Sequence, residues 1–207
     1  MHSAASLHGD HRPAASRHAG SSSVLRLTLA WLLALGMALG LAWPTARAAE
    51  PELTNFELIH NEDGLFLNYG VNLELSRSVD DALTKAVPLF FVAEAEVFRN
   101  RFYWRDQRVG YAVRRWRIVF QPLTSTYRVT FDGGLSQNYT TRAEAFAAIS
   151  RSVRWKIAEA AQIEEGSRHY VEFSFRLDTS QLPRPMQIGI GGQADWAMSV
   201  QRTQKIN

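Results

Sequence analysis

The sequence predicts an α+β domain, mostly antiparallel β, built as sandwich-like sheets with two short helices. Three observations carry that prediction. Apolar and polar residues alternate strictly in several segments, most clearly Leu65 to Leu75 and Val171 to Leu177, which is the period of strands with one buried face. Turn-forming clusters, Asn61-Glu62-Asp63-Gly64 and Asp132-Gly133-Gly134, separate them at hairpin spacing. Two short alanine-containing runs open on helix-capping residues.

Leu53 to His60 and Leu65 to Leu75 form the first expected hairpin, the second strand burying Leu65, Leu67, Tyr69, Val71, Leu73 and Leu75. Ser78 is a candidate N-cap for a helix that Pro88 stops. Leu89 to Tyr103 and Val109 to Gln121 read as a long hairpin. A two-residue turn at Asp106-Gln107 puts Leu89, Phe91, Ala93, Ala95 and Val97 on one face with Trp116, Ile118 and Phe120. In that register Glu96 opposes Arg117, Phe98 opposes Arg115, and Arg99 meets Arg114 as a like-charge pair. Tyr127 to Phe131 and Leu135 to Tyr139 pair next. Thr141-Arg142-Ala143-Glu144 has capping-box form and starts the second helix. Val153 to Glu159 and Arg168 to Asp178 return to strand. The tail crosses irregularly, with a turn at Gly189-Ile190-Gly191-Gly192, to an edge strand at Trp196 to Val200. Each half reads hairpin, short helix, further strands, which suggests an internal duplication.

Residues 1–48 have the order of a signal peptide: a basic start with Arg12, Arg17 and Arg26, an apolar block Leu27 to Trp43, and Ala46-Arg47-Ala48 as a cleavage site. The expected organisation is therefore a leader, 1–48, and a single periplasmic β-rich domain, 49–207. The domain contacts the membrane only through the leader, as an inner-membrane anchor, where that segment stays attached. The leader carries four Arg and one Asp, so 19 basic and 19 acidic side chains remain and the domain is neutral. That balance excludes the basic excess of a nucleic-acid binder. With no cysteine, thiol catalysis and thiolate metal sites are excluded too, and a core of about 155 residues must supply the stability.

Catalytic signatures are missing. Only His60 and His169 follow the leader, without an HExxH or similar ligand set, so no metal is expected. There is no Gly-x-Ser-x-Gly elbow, and Gly189 to Gly192 opens no helix that could hold a phosphate. The acid pairs Glu62-Asp63 and Asp80-Asp81 sit at a turn and a helix start, where acids are favoured anyway. No cofactor and no catalytic residue is expected.

Charge order is uneven. Ala49 to Val97 holds ten acids and two bases, whereas Phe98 to Arg128 holds eight Arg and one Asp, interleaved with Phe102, Tyr103, Trp104, Tyr111 and Trp116. Arginine with aromatics suits a protein interface or an anionic headgroup. The candidate interface is Arg99, Arg101, Tyr103, Arg105, Arg108, Tyr111 and Arg114. Internal compensation by the acidic first segment is the competing reading of the same charges.

Leu83 before Pro88-Leu89, Trp116-Arg117, Leu123-Thr124 with Tyr127-Arg128-Val129, Glu144-Ala145, Leu182-Pro183-Arg184-Pro185 and Asp195-Trp196 form a pattern along nearly the whole domain. It resembles an uncharacterised proteobacterial family of exported proteins, sometimes labelled "proline-rich signal peptide protein", although this chain has only seven Pro. The resemblance implies genes adjacent to a membrane sensor kinase of the nitrogen-regulation type and assigns no catalytic or binding residue. The functional expectation is a non-catalytic periplasmic interaction module, accessory to such a kinase or another envelope protein. The alternatives are a carrier of an apolar or lipid ligand between the sheets and an enzyme acting on envelope material.

Overall fold

Alternating side chains need two surfaces to bury their apolar rows against each other, and the computed structural model supplies them as two antiparallel sheets. It describes residues 51–103, 105–164, 166–184, 187 and 194–206. The predicted leader and the turn at 189–192 lie outside these. The strands are β1 (Glu52–Asn61), β2 (Gly64–Asn72), β3 (Leu89–Arg99), β4 (Gln107–Gln121), β5 (Thr126–Phe131), β6 (Ser136–Tyr139), β7 (Arg151–Glu159), β8 (His169–Leu177) and β9 (Ser199–Lys205). Helix α1 (Arg77–Thr84) lies between β2 and β3, and α2 (Arg142–Ile149) between β6 and β7. One sheet runs β1-β2-β7 and the other β6-β5-β4-β3-β8-β9.

This is the α+β, mostly antiparallel architecture expected. Hairpin β1–β2 closes where predicted: Asn61 accepts the Asp63 N–H at 3.0 Å, and Gly64 takes a φ of +136° that favours glycine. Strand β2, central between β1 and β7, is fully buried on one face and partly covered on the other, where Phe66 and Gly70 are buried, Asn68 half-buried and Asn72 exposed. The guanidinium of Arg154, 5.2 Å from the ring centroid, covers Phe66 on the outer side. The sheet order also shows no duplication, since β2 is central in its sheet whereas β6 is an edge.

Helix α1 starts one turn fraction earlier than predicted. Ser76 is the N-cap, accepting from the Val79 N–H at 3.3 Å, while Ser78 donates instead to Asp195. It ends before Pro88 through Ala86, at φ +62°, whose N–H donates to the Leu83 carbonyl. Helix α2 has the full capping box of Thr141 and Glu144; hydrogen bonds from Thr140 and then Thr141 hold the Glu144 carboxyl below its ordinary range. The last strand is an edge, as expected, but it covers Ser199–Lys205. Trp196 is instead buried in the short turn before it.

The core forms where the sheets face each other. Tyr69 packs on Phe173 (centroids 4.8 Å apart) and on Trp155 (6.0 Å), and Phe175 lies against Phe91 (5.8 Å) and Trp116 (6.2 Å). These buried side chains all fall between Leu65 and Met198, so among the described residues the core is built from the domain's own strands and helices.

Candidate interaction surface at the β3–β4 tip

The β3–β4 hairpin has the predicted faces but not the predicted register. Leu89 opposes Ile118 and Phe91 opposes Trp116, a slip of six residues from a two-residue turn. Six is even, so every side chain keeps its face. The connection is a seven-residue loop, 100–106, and a bulge at Val97/Phe98 precedes it. Arg99 consequently opposes Gln107 rather than Arg114, Phe98 opposes Arg108, and Glu96 opposes Tyr111. The like-charge pair does not form.

The base of the loop is held from several sides. Asp106 is the central acceptor: one carboxylate oxygen takes the Arg101 N–H at 3.1 Å, the other the Tyr170 hydroxyl at 2.9 Å. Tyr170 in turn stacks on Phe98, with centroids 5.3 Å apart and planes 17° from parallel. The Asn100 N–H donates to the Arg168 carbonyl at 2.8 Å, and Gln107 Oε1 accepts from both Arg99 and Arg101. Burial, then the hydrogen bond to Asp106 and the nearby carboxylates, push the Tyr170 phenol up to about 12. It therefore remains a donor at any ordinary pH. The folded chain keeps a proton that the unfolded chain releases near 10, so this group lowers stability as pH rises from about 10 towards 12.

On that base stand Phe102 and Tyr103, 81% and 86% exposed, in edge-to-face contact with centroids 4.7 Å apart. Arg101 and Arg105 flank them and are also exposed. Two large adjacent rings held in water on an anchored loop form an exposed apolar pair, which is less common than single exposed apolar residues.

The predicted interface residues divide accordingly. Arg101, Tyr103 and Arg105 are at the tip. Arg99 is at its base, paired with Glu164 and donating to Gln107 at 2.6 Å. Arg108 and Tyr111 lie further down the outer face: Arg108 pairs with Glu96 and covers the Tyr111 ring at 5.2 Å, and the Tyr111 hydroxyl reaches Glu94 at 3.4 Å. Arg114 does not belong to the surface. It opposes Ala93 on the inner face, donates to Ser152 Oγ at 2.7 Å, and lies 5.1 Å over the Trp155 ring. Burial lowers its pKa, with the Tyr69 phenol acting in the opposite direction. Internal compensation thus accounts for part of the Arg block, Arg115 with Asp132 included. The three framing residues Asp106, Gln107 and Tyr170 were absent from the sequence-derived set.

Beside Arg114, the Tyr69 hydroxyl is buried and among the described residues has no hydrogen-bond partner; burial raises its pKa well above the ordinary phenol value. Tyr69→Phe should therefore raise stability by about 1 kcal/mol, because an orphaned buried hydroxyl costs desolvation without return. Thermal denaturation checks this, and a loss of stability would mean that the hydroxyl is bonded.

A second group of charges lies on the outer face. Glu94, Glu96 and Glu172 line a concavity of about 320 Å³ with Ser174, Gln201 and Thr203. Arg108 neutralises Glu96, and Arg176 donates to Glu94 at 3.3 Å. Among the described residues no cluster of His, Asp and Glu could hold a metal ion.

Fold and surface together define a class: a two-sheet α+β domain presenting a braced aromatic and basic hairpin tip. Residues 48–206 match the family described as a domain of unknown function, DUF4390, and the chain belongs to that family. Comparison with curated proteins and with solved structures gives no match.

Proposed function

We propose that the protein is an exported, non-catalytic interaction module that works in the periplasm through the β3–β4 tip, with an envelope membrane protein, a sensor kinase in particular, as its partner. The observation that carries the reading is the exposed Phe102–Tyr103 pair on a loop fixed by Asp106 and Tyr170. A surface held in one geometry loses little entropy on binding, and aromatic and Arg side chains are the residues that dominate interface energies. The leader-like segment 1–48 supports export. Pairing of Glu94 and Glu96 with arginines supports a structural role for the acids that would otherwise suggest hydrolysis.

The carrier reading has less support. Tyr69, Phe91, Phe173 and Phe175 fill the space between the sheets. A concavity of about 560 Å³ is lined by Thr54, Gly70, Asn72, Phe146 and Ser152 and mixes polar with apolar groups.

Asp106→Ala tests the bracing. Losing two hydrogen bonds at an accessible site should cost about 1 kcal/mol of stability. Amide exchange at Arg101 should accelerate at least about tenfold, and partner capture should weaken while the fold persists. Unchanged exchange together with unchanged capture would remove the preorganisation argument.

A further inference from the structure

We propose that the tip end of the domain docks end-on to an anionic phospholipid surface. Phe102 and Tyr103 enter the interfacial zone, and a cavity just behind them takes a lipid phosphate. This rests on the tip being a contact surface but adds a second set of residues and a ligand chemistry.

The cavity, about 270 Å³, is lined by Asn100, Arg168, His169, Tyr170, Lys205 and Ile206. Asn100 is also the first residue of the tip loop, bonded to the Arg168 carbonyl, so the cavity and the aromatic pair share one end of the molecule. Arg168 and Lys205 are exposed, and among the described residues neither pairs with a carboxylate. This contrasts with Arg99, Arg108, Arg115, Arg142 and Arg176, each of which has an acid. His169 adds a buried imidazole to the wall. Its Nδ1 lies 3.1 Å from the Ser167 carbonyl, and its Nε2 has no partner among the described residues.

Charge complementarity selects the occupant. Arg101, Arg105, Arg168 and Lys205 gather at one end of a domain that is neutral as a whole, and the acids described at that end, Asp106 and Glu164, are engaged by Tyr170 and Arg99. Basic side chains beside exposed aromatic rings are the composition that bilayer interfaces attract. The acids Glu94, Glu96 and Glu172 lie on the flank of the six-stranded sheet, and Glu96 is four residues back from Asn100, roughly 13 Å along an extended strand. End-on contact keeps Glu94 and Glu96 further from the headgroups than contact through the flank would, whereas Glu172, two residues along β8 from Tyr170, stays near the cavity.

Vesicle flotation of the leader-free domain, residues 49–207, tests this. It should float with vesicles of phosphatidylcholine mixed with phosphatidylglycerol, but not with pure phosphatidylcholine, and less so as salt rises. Arg168→Gln with Lys205→Gln should weaken binding about 30-fold, both residues being exposed and the melting curve unchanged. Phe102→Ser with Tyr103→Ser should weaken it as well. Equal binding to both kinds of vesicle, no binding to either, or wild-type binding by the Arg168/Lys205 double variant would overturn the proposal. If that double variant loses nothing on vesicles but the tip still captures a protein in cells, the lipid site fails and the tip reading stands.

Discussion

Phe175→Ala is expected to destabilise the domain by about 3 to 5 kcal/mol, lowering its melting temperature by roughly 10 °C or more. Phe175 is fully buried on β8, and its ring touches those of Tyr69 from one sheet and Phe91 and Trp116 from the other. Truncation removes the transfer free energy of the ring and leaves a cavity between two sheets. Those sheets cannot collapse without breaking the β3–β8 and β3–β4 ladders on either side. A loss below about 1 kcal/mol in chemical denaturation would mean that the sheets do not pack as described.

Gly64→Ala is expected to be nearly as damaging, at about 2 to 5 kcal/mol. Gly64 has a φ of +136°, and an added Cβ would stand 2.3 Å from the Ala158 carbonyl oxygen and 3.2 Å from the Ala160 nitrogen. Both obstacles are backbone, in and just after β7, so relief requires moving the strand that pairs with β2. Gly133→Ala separates the two causes. It also has a left-handed φ, of +93°, but meets nothing within 4 Å, so only the conformational cost of about 1 kcal/mol remains. Comparable losses from the two substitutions, measured by urea denaturation, would contradict the close approach of β2 and β7.

Much of this fold was legible in the sequence because alternation reports faces directly. Val171, Phe173, Phe175 and Leu177 are buried as predicted, and the capping box at Thr141 marks a real helix start. Register was less legible. Parity is blind to an even slip, and the loop that takes up the six residues is bonded to Tyr170, 64 residues beyond Asp106 in sequence. Strand order was not legible for the same reason: β2 beside β7 and β3 beside β8 are pairings between distant segments.

The candidate site shows both sides of this. Tyr103 with its flanking arginines stood out by composition, and it is exposed. Arg114 was grouped with them by charge alone, although it shares the parity of Trp116, Ile118 and Phe120 and so had to face inward. The alternation rule, applied to charged residues as strictly as to apolar ones, would have separated it. Arg168 and Lys205 come to the tip only through the β3–β8 and β8–β9 ladders, which no local pattern encodes.

The central claim is that the tip, and no other exposed part of the domain, makes the functional contact. Photoreactive residues placed in cells at Tyr103 and, as the comparison, at Leu123 beyond the opposite end of β4 test it most directly, both positions being exposed. The account predicts a recurrent membrane protein captured from Tyr103 and not from Leu123, and lost when Phe102 and Arg105 are replaced. Capture of the same protein from both positions, or of no protein from Tyr103, would contradict it.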